Sequence, residues 1–457
     1  MFNVSQSMTP TAARRFLFIL LLSITALPAS SAHSPQQTPA KKAKPVLPRL
    51  SSHVILISIS GLRSDYLSDQ YKDELAIPTL RALRDKGART RGIESVYPSL
   101  SRPAHATILT GMLPADHGVT SDYLFDEQTG EQSKTPSGSA IRGETIQQAA
   151  RRTGLSTAVA GFPLISEEAI TSAHAEPAAK TKQREEQNQK KLSAQALSAD
   201  QMRAAAAATI IEKQRPDLLL ICLESLDTVH RLHGPLSSEA MTALARIDEL
   251  IRQLAEACDH AGISAETTFL IVAPYGSARV ENEFSPNVVL AAKKLLTTDG
   301  QGRITSWQAI AQPLGGAAAI LIREQNDGRI ISAVEAAFRE YYEKPHSPLW
   351  RIIPRRDVSR LGADARAILY LDAAPMYVMS GRARGDAKSK TDIRGASGYL
   401  PQRFEMRGAL IASGKGIRKD AGLEFARLTD LAPTIARLLG FELKATRGRV
   451  LSEILMP

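Results

Sequence analysis

Residues 96–112, VYPSLSRPAHATILTGM, form the stretch on which the interpretation of the whole chain depends. The Tyr97-Pro98 pair ends an extended run. Pro103 predicts a helix that starts near Ser101, because proline is favoured where its missing N–H would have had no partner. A hydroxyl at a helix N-terminus lies beside free backbone N–H groups and the positive end of the helix dipole, and both attract phosphate. The local pattern alone favours a plainer role, in which Ser101 only caps its helix.

Three nearly continuous apolar runs of strand length lie elsewhere, at 53–60 (HVILISIS), 217–223 (DLLLICL) and 267–273 (TTFLIVA). Such runs are typical of strands that are buried on both faces of a sheet. Helical patterns alternate with them, and this alternation predicts an α/β fold with a mainly parallel sheet. Ligands bind beyond the carboxyl ends of parallel strands. We therefore expect a site in the loops that begin at Ser60, Tyr97, Glu224 and Pro274.

The N-terminal part has the pattern of an export signal. A basic Arg14-Arg15 pair precedes an apolar run and a small-residue cleavage site at 30–32, so residues 1–32 are predicted to be a signal peptide. A retained anchor is the alternative, although the run is short for a membrane span. Residues 33–50 are rich in Pro, Gln, Lys and Ser and are predicted to be a disordered leader. These features predict a secreted or periplasmic protein with no transmembrane span after signal removal.

The remaining residues, 51–457, are predicted to form one domain with two additions. Residues 176–201 are polar and low in complexity, and are predicted to be an exposed helical insertion or a loop. Residues 315–380 combine strand and helix patterns and are predicted to form a smaller αβ subdomain. Cys222 and Cys258 lie in apolar and helical surroundings, which predicts two buried free thiols rather than a disulfide.

Composition excludes some classes of function. The formal net charge is +10, but the basic residues are scattered and aromatic residues make up only 5%. A nucleic-acid surface built on base stacking is therefore not expected. The positive charge favours an anionic small molecule, such as a phosphoester, or an anionic envelope surface. The sequence carries no indication of the oligomeric state.

Seven segments resemble, in order, those of a known family: ISISGLRSDY (57–66), YPSLSRPAHATILTGMLPADHGV (97–119), LDTVHRLHGP (226–235), SPNVVLAA (285–292), LGADARAILYLDAAPMY (361–377), GASGYLPQRFEMRGALIASGKGI (395–417) and RLTDLAPTIARLLGF (427–441). Together they make the chain resemble the alkaline phosphatase superfamily, and within it the type I phosphodiesterase/nucleotide pyrophosphatase family. The resemblance implies a three-layer sandwich, in which helices flank a mainly parallel central sheet and a smaller αβ subdomain is inserted. It also implies that Ser101 occupies the nucleophile position, where this family usually has threonine.

The same resemblance implies two zinc ions, held by six Asp and His side chains. Two such metals clamp the attacking and leaving oxygens of an in-line displacement. Five of the six positions are substituted here: they carry Ser60, Arg231, Pro274, Tyr275 and Ser397. Only Asp227 is retained, and one carboxylate cannot hold two zinc ions. No cofactor is therefore expected, and zinc is expected only if the chain is an active hydrolase.

Further positions near Ser101 are altered or newly charged. Asp122 stands where the family has an asparagine that helps to hold the phosphoryl oxygen. Arg102 and Arg231 are the expected substrate-binding residues, because both bring positive charge near Ser101. Losing a metal removes several kcal/mol of charge stabilisation, and about 1.4 kcal/mol corresponds to a tenfold change in rate. The sequence thus predicts a catalytically impaired pseudoenzyme that binds an anionic ligand or a partner.

Alternatives stay open at this point. Asp227, His230 and His233 have a D-x-x-H-x-x-H spacing and could rebuild a site for one zinc ion. The chain would then be an active phosphoester or phosphodiester hydrolase with Ser101 as nucleophile. The plainer interpretation is that both histidines bind backbone groups.

The Ser101 segment also resembles the sulfatase nucleophile pattern, but His105 stands where sulfatases have arginine, so a sulfatase-like hydrolase is less favoured. A purely structural envelope protein is supported only by charge.

Overall fold

The computed structural model describes residues 47–126, 132–134, 141–165 and 182–457, all within one compact unit, Lys42–Pro457. The predicted signal peptide (1–32), residues 33–46 of the predicted leader and residues 176–181 of the predicted polar insertion lie outside these described residues. Within the described ranges, no helix combines the length and the apolarity needed to cross a membrane.

The strands are numbered in chain order: β1 (His53–Ile59), β2 (Ala88–Thr90), β3 (Ile93–Glu94), β4 (Tyr123–Phe125), β5 (Gln132–Lys134), β6 (Thr157–Ala160), β7 (Leu218–Leu223), β8 (Thr267–Val272), β9 (Ala278–Phe284), β10 (Leu296–Thr298), β11 (Ile304–Trp307), β12 (Ala309–Leu314), β13 (Ala317–Ile322), β14 (Leu349–Pro354), β15 (Leu369–Ala373), β16 (Met376–Met379), β17 (Lys388–Lys390), β18 (Gly395–Ala396), β19 (Leu410–Gly414), β20 (Gly422–Leu423) and β21 (Ala426–Arg427). The α-helices are α1 (Pro78–Lys86), α2 (Ser101–Thr110), α3 (Pro114–His117), α4 (Ile146–Arg152), α5 (Lys182–Gln214), α6 (Ser225–His233), α7 (Ser238–His260), α8 (Pro286–Ala292), α9 (Gly328–Tyr342), α10 (Arg355–Leu361) and α11 (Leu431–Leu439).

β1 is an interior strand, next to the middle one, of a seven-stranded sheet with the strand order β20-β2-β19-β8-β1-β7-β6. It is parallel to both of its neighbours: Val54 pairs with Leu218 of β7 and with Thr268 of β8. β6 is parallel to β7, whereas β19 runs antiparallel to β8 and to β2. The predicted α/β fold with a mainly parallel sheet is therefore confirmed.

Helices cover both faces of this sheet, because the side chains of β1 alternate between two cores. Val54 and Leu56 pack in the core that includes α2, α4 and α11. Ile55 and Ile57 pack in the opposite core, with residues of α5, α6 and α7. Burying each such side chain contributes about 1.5–3 kcal/mol relative to leaving it exposed. The result is the three-layer sandwich that the family resemblance implied.

A second, smaller sheet is antiparallel and has the strand order β12-β13-β15-β14. Its strands span residues 309–373, and α9 connects β13 to β14 along the chain. Buried side chains of α9, Val334 and Phe338 among them, join the core beneath this sheet. The sheet begins with β12, a few residues before the subdomain predicted at 315–380.

The described part of the predicted polar insertion, from Lys182 onward, belongs to α5. This helix continues to Gln214 and packs against α6 and α7. Between residues 187 and 201 the helix is exposed or half-buried except at Asp200, and beyond the predicted insertion Ala207 and Ile211 join the core. Cys222 and Cys258 are both buried and free, as predicted.

Candidate functional site

A cavity of about 340 Å³ lies at the carboxyl ends of β1, β7 and β8, beside the start of α2. These three strands are neighbours in the sheet, so the loops that follow them meet at one edge. Most of the residues that the sequence singled out line this cavity together: Ser60, Ser101, Asp122, Glu224, Asp227, Arg231, Tyr275 and Ser397. Ser60, Ser101, Glu224 and Tyr275 lie in or directly after the loops where a site was expected, whereas Asp122 and Ser397 come from other segments, and Ser397 lies 337 residues after Ser60.

Ser101 is the first residue of α2 and does not cap the helix, contrary to the plainer expectation. The capping position belongs to Leu100, which has extended backbone and no side-chain hydrogen bond to the helix. The Ser101 Oγ instead lies 3.3 Å from Nδ1 of His105, one turn further along. A residue already inside the helix cannot direct its hydroxyl to the N–H groups ahead as a capping residue does. The hydroxyl of Ser101 is part of the cavity wall.

His105 holds the start of α2 in place. Its Nδ1 lies 2.7 Å from the Ser101 carbonyl oxygen and its Nε2 lies 2.8 Å from Oγ of Ser58. The hydrogen-bond network assigns the proton to Nδ1, which donates to the carbonyl, while Ser58 donates to Nε2. Burial lowers the pKa of His105 to about 4. A neutral imidazole with its proton on Nδ1 cannot accept the proton of the Ser101 hydroxyl.

Asp122 faces the first turn of α2. Its Oδ1 accepts a hydrogen bond from the backbone N–H of Arg102 at 2.7 Å. Burial lowers the pKa of the Arg102 guanidinium, and the charge of Asp122 opposes that shift. Within the described residues, the cavity lining includes Asp122 but not Arg102. Arg102 therefore affects the electrostatics of the cavity through its interaction with Asp122.

One face of α6 contributes Asp227 and Arg231 to the cavity. The two residues are one helical turn apart, so their side chains project in nearly the same direction. Burial raises the pKa of Asp227 to about 7; Arg231 opposes the shift, and Asp122 and Glu224 add to it. Arg231 is exposed at the cavity wall. Arg231 is the residue for which the family resemblance implied a metal-binding histidine.

His230 and His233 point elsewhere, so the hypothetical single-zinc site with Asp227 is not assembled. Residues three apart on a helix are neighbours, so the contacts of each histidine, rather than the spacing, decide where its side chain points. His230 is buried, with Nε2 2.8 Å from the Tyr66 hydroxyl, and burial lowers its pKa to about 3. Nε2 of His233 lies 3.3 Å from Oγ of Ser193. In the part of the chain that the structure describes, no three His, Cys, Asp or Glu side chains could hold a metal ion together.

The substituted positions at the strand ends carry hydroxyl groups. Ser60, which follows β1, is 1% exposed; its Oγ makes no well-aligned hydrogen bond among the described residues, although its hydroxyl lies close enough to Tyr275 and Cys222 to oppose the rise in their pKa values. Tyr275, which follows β8, is equally enclosed, and burial raises the pKa of its phenol well above the usual value, so it remains neutral. Pro274 has a structural role, because its carbonyl accepts a hydrogen bond from Oγ of Ser95 at 2.6 Å. Hydroxyls and a guanidinium do not fit zinc, which takes Asp, His and Cys ligands.

Sequence reasoning missed a buried charge network behind Glu224. Nη2 of Arg203 lies 2.8 Å from Oε2 of Glu224, and Nη1 lies 3.1 Å from Oδ1 of Asp200. The Asp200 carboxylate also accepts the backbone N–H groups of Glu224 and Ser225, at 3.0 and 2.8 Å. Asp200 thereby caps the N-terminus of α6. Because Asp200 belongs to α5, this contact holds in place the helix that carries Asp227. The sequence feature that could have pointed to this network is the Asp-x-x-Arg spacing of Asp200 and Arg203 within a polar helix.

Comparisons with known proteins give the relationship. The profile of the type I phosphodiesterase/nucleotide pyrophosphatase family matches residues 54–399. The chain is 25% identical over 279 residues to an uncharacterized pyrophosphatase/phosphodiesterase of Schizosaccharomyces pombe. The aligned region covers 58% of this chain and 51% of that protein. It is 24% identical over 234 residues to venom phosphodiesterase 2 of Crotalus adamanteus, which covers 50% of this chain and 27% of the venom protein. The matches thus span about half and about a quarter of these two relatives.

Solved structures show the same fold. Human ectonucleotide pyrophosphatase/phosphodiesterase 5 superimposes with a TM-score of 0.65 at 17% identity, covering 89% of this chain and all of that one. An inactive form of the murine protein, in complex with AMP, superimposes with a TM-score of 0.64 at 16% identity and the same coverage. With the profile match across most of the chain, the conclusion is that this protein belongs to the type I phosphodiesterase/nucleotide pyrophosphatase family of the alkaline phosphatase superfamily.

Proposed function

We propose that this chain is a catalytically impaired member of its family that binds an anionic, phosphate-ester-like molecule in the Ser101 cavity. One observation carries the proposal: the side chains that stand at the metal-ligand positions and line the cavity are mostly hydrogen-bond donors. Ser60, Tyr275 and Ser397 offer hydroxyls and Arg231 offers a guanidinium. Donors of this kind bind the oxygens of a tetrahedral anion directly, where the family uses zinc.

The buried hydroxyl of Ser60 supports a bound ligand. A buried polar group without a well-formed hydrogen bond costs about 1–3 kcal/mol, and Oγ of Ser60 makes none that is well aligned among the residues described, with Tyr275 and Cys222 as its polar neighbours. A phosphoryl oxygen in the cavity would satisfy it. Hydrogen bonds in which one partner is charged contribute about 1.5–3 kcal/mol each, so a few such bonds are enough for binding without metal.

Two features argue against efficient hydrolysis. The retained carboxylate of Asp227 is the single Asp or His at the six family ligand positions, so the electrostatic contribution of two metals is missing. The imidazole of His105, which lies 3.3 Å from the Ser101 hydroxyl, also cannot serve as its base, because it carries its proton on Nδ1. Turnover of phosphodiesters is therefore expected to be many orders of magnitude slower than in an enzyme with both metals.

Binding can be measured by isothermal titration calorimetry with AMP and with inorganic phosphate at pH 5, where each carries about one negative charge, without added metal. AMP is the ligand in the complex of the murine structural neighbour. We expect measurable binding that weakens about tenfold or more in Arg231→Gln, because a charged hydrogen bond is lost. The control is Arg329→Gln on α9, whose side chain is 94% exposed. Absence of binding by the wild-type protein would contradict the proposal.

The active-hydrolase alternative has its own test. The purified protein is supplied with zinc and assayed with bis(p-nitrophenyl) phosphate and p-nitrophenyl phosphate, and its metal content is measured. The proposal predicts less than one zinc per chain and turnover that Ser101→Ala leaves unchanged. Stoichiometric zinc, with turnover that disappears in Ser101→Ala, would establish a hydrolase instead.

We also propose that residues 1–32 direct export, so that the mature protein is secreted or periplasmic. The basic pair, apolar run and small-residue site described above support this assignment. Expression of the full chain in a Gram-negative host, followed by fractionation and intact mass, tests it. A mature chain that starts at His33 in the periplasm is expected; an uncleaved chain in the membrane fraction would indicate a retained anchor.

A further inference from the structure

The first turn of α2 already holds a carboxylate. The residue before the helix supplies no side-chain cap, and the N–H groups of a first turn have no partner within the helix. Asp122, twenty residues from Arg102 along the chain, fills this gap through the 2.7 Å hydrogen bond from the Arg102 N–H. The helix dipole and the N–H group both stabilise an anion there. The carboxylate thus occupies a position that suits an oxygen of an anionic ligand.

Above about pH 7, where Asp227 is ionised, the acidic groups around the cavity at least match its guanidinium groups before any ligand enters, since Arg203 serves Asp200 as well as Glu224. Three carboxylates line it, and each has a guanidinium that attracts it: Arg203 for Glu224, Arg102 for Asp122 and Arg231 for Asp227. A ligand with one negative charge can share Arg231 with Asp227. A second negative charge on the ligand has no further cation among these groups, and it faces three carboxylates at low local dielectric.

We propose that Asp122 is a specificity-determining residue of this cavity. Its carboxylate takes the anion position at the start of α2, so that the cavity accepts singly charged anions and rejects doubly charged ones. This inference rests on the proposed function, since it concerns which anions the same cavity binds. The hydroxyls of Ser60 and Tyr275 then bind the oxygens of the ligand without adding charge.

The test compares two ligands that differ in charge but share an aromatic group. At pH 8, phenyl phosphate carries about two negative charges, since its second pKa lies near 6, and methyl phenyl phosphate carries one. Affinities are measured for the wild-type protein and for Asp122→Asn, which keeps an oxygen that can accept the Arg102 N–H and so keeps the helix cap. Glu266→Gln removes one carboxylate just before β8, at the opposite end of the central sheet, and controls for net charge.

The wild-type protein is expected to bind methyl phenyl phosphate at least tenfold more tightly than phenyl phosphate. Asp122→Asn is expected to strengthen phenyl phosphate binding by tenfold or more, and methyl phenyl phosphate binding by much less, with Glu266→Gln like wild type. If the wild-type protein binds either ligand and Asp122→Asn leaves the ratio unchanged, the role of Asp122 is refuted while the proposed function stands. If neither protein binds either ligand, the proposed function itself fails. Binding of phenyl phosphate by Asp122→Asn alone would support the role of Asp122.

Discussion

Arg403 and Asp372 form a buried ion pair, with Nη2 2.5 Å from Oδ2, that connects the second sheet to the loop beside Ser99. The other carboxylate oxygen of Asp372 accepts the backbone N–H of Leu400 at 2.8 Å. Ser99 donates its hydroxyl to the Tyr399 carbonyl at 3.0 Å. Through these contacts, β15 positions the loop that leads into Ser101.

Breaking this ion pair should destabilise the domain strongly. Asp372→Asn leaves the buried guanidinium of Arg403 without its counter-ion, so the free energy of unfolding should fall by about 3–5 kcal/mol. Urea denaturation followed by tryptophan fluorescence measures the change. Asp357→Asn, which removes an exposed partner of Arg360, is the control and should change stability by about 0–1 kcal/mol. Equal effects of the two variants would contradict the role assigned to Asp372.

Buried neutral His117 should make the fold sensitive to acid. Its Nδ1 accepts the backbone N–H of Val119 at 3.1 Å, and burial lowers its pKa to about 4. The unfolded chain takes up this proton near pH 6.5, whereas the folded chain does not. The stabilisation is therefore complete above about pH 6.5 and is lost as the pH falls towards 4, by about 1.4 kcal/mol per pH unit.

The measurement for His117 is the difference in unfolding free energy between wild type and His117→Gln at several pH values. This difference should shrink between pH 7 and pH 4.5, because only the wild type loses the histidine contribution. Asp227 and Asp372 have raised pKa values, which stabilise the folded state at low pH and so oppose the effect of His117. Because both groups are present in wild type and in His117→Gln, their contribution cancels in the difference. A difference that stays constant over this range would refute the prediction.

Gly395 is a position where the backbone of β18 approaches α6 closely. A Cβ atom there would lie 2.3 Å from the carbonyl oxygen of His230. Gly395→Ala should therefore push β18 away from α6, lower the free energy of unfolding by about 1–3 kcal/mol and weaken anion binding. Gly300→Ala is the matched control, since a Cβ atom there has nothing within 4 Å. Thermal unfolding and calorimetry check both, and equal melting temperatures for the two variants would count against this packing.

Binding of a singly charged phosphate diester should weaken as the pH rises through about 7. Asp227 has its pKa raised to about 7, so it is neutral at lower pH and adds a negative charge to the cavity at higher pH. The diester keeps one charge throughout, so a change in affinity reports on the protein. Asp227→Asn should bind with little pH dependence between 6 and 8. If the affinity of the wild-type protein does not change between pH 6 and 8, the assignment of this pH dependence to Asp227 is contradicted.

Much of the fold could be predicted because its signals are local. The apolar run at 53–60 has the composition of a strand buried on both faces, and it forms β1, an interior strand of the seven-stranded sheet. The convergence of Ser60, Glu224 and Tyr275 also followed, since parallel neighbouring strands end at one edge. The expectation that Ser101 caps its helix was wrong by one residue, because sequence rules do not distinguish the residue before a helix from its first residue.

Other features depend on three-dimensional packing and were out of reach. The spacing of His230 and His233 allowed a metal site, but their directions are decided by Tyr66 and Ser193, which lie far away along the chain. The pairing of Arg203 with Glu224 likewise depends on how α5 packs beside β7. The hydrogen bond between Asp122 and the start of α2 joins residues from separate loops, and no pattern in either segment predicts it.

The two sides of α6 have a consequence for how such a protein can change over time. Leu226 and Val229 pack in the core, while Asp227 and Arg231 line the cavity. Substitutions on the cavity side leave the buried side untouched, so a lineage can exchange metal-binding residues for hydroxyls and guanidinium groups while the domain stays folded. A scaffold of this kind separates the residues that decide its stability from those that decide what the cavity binds.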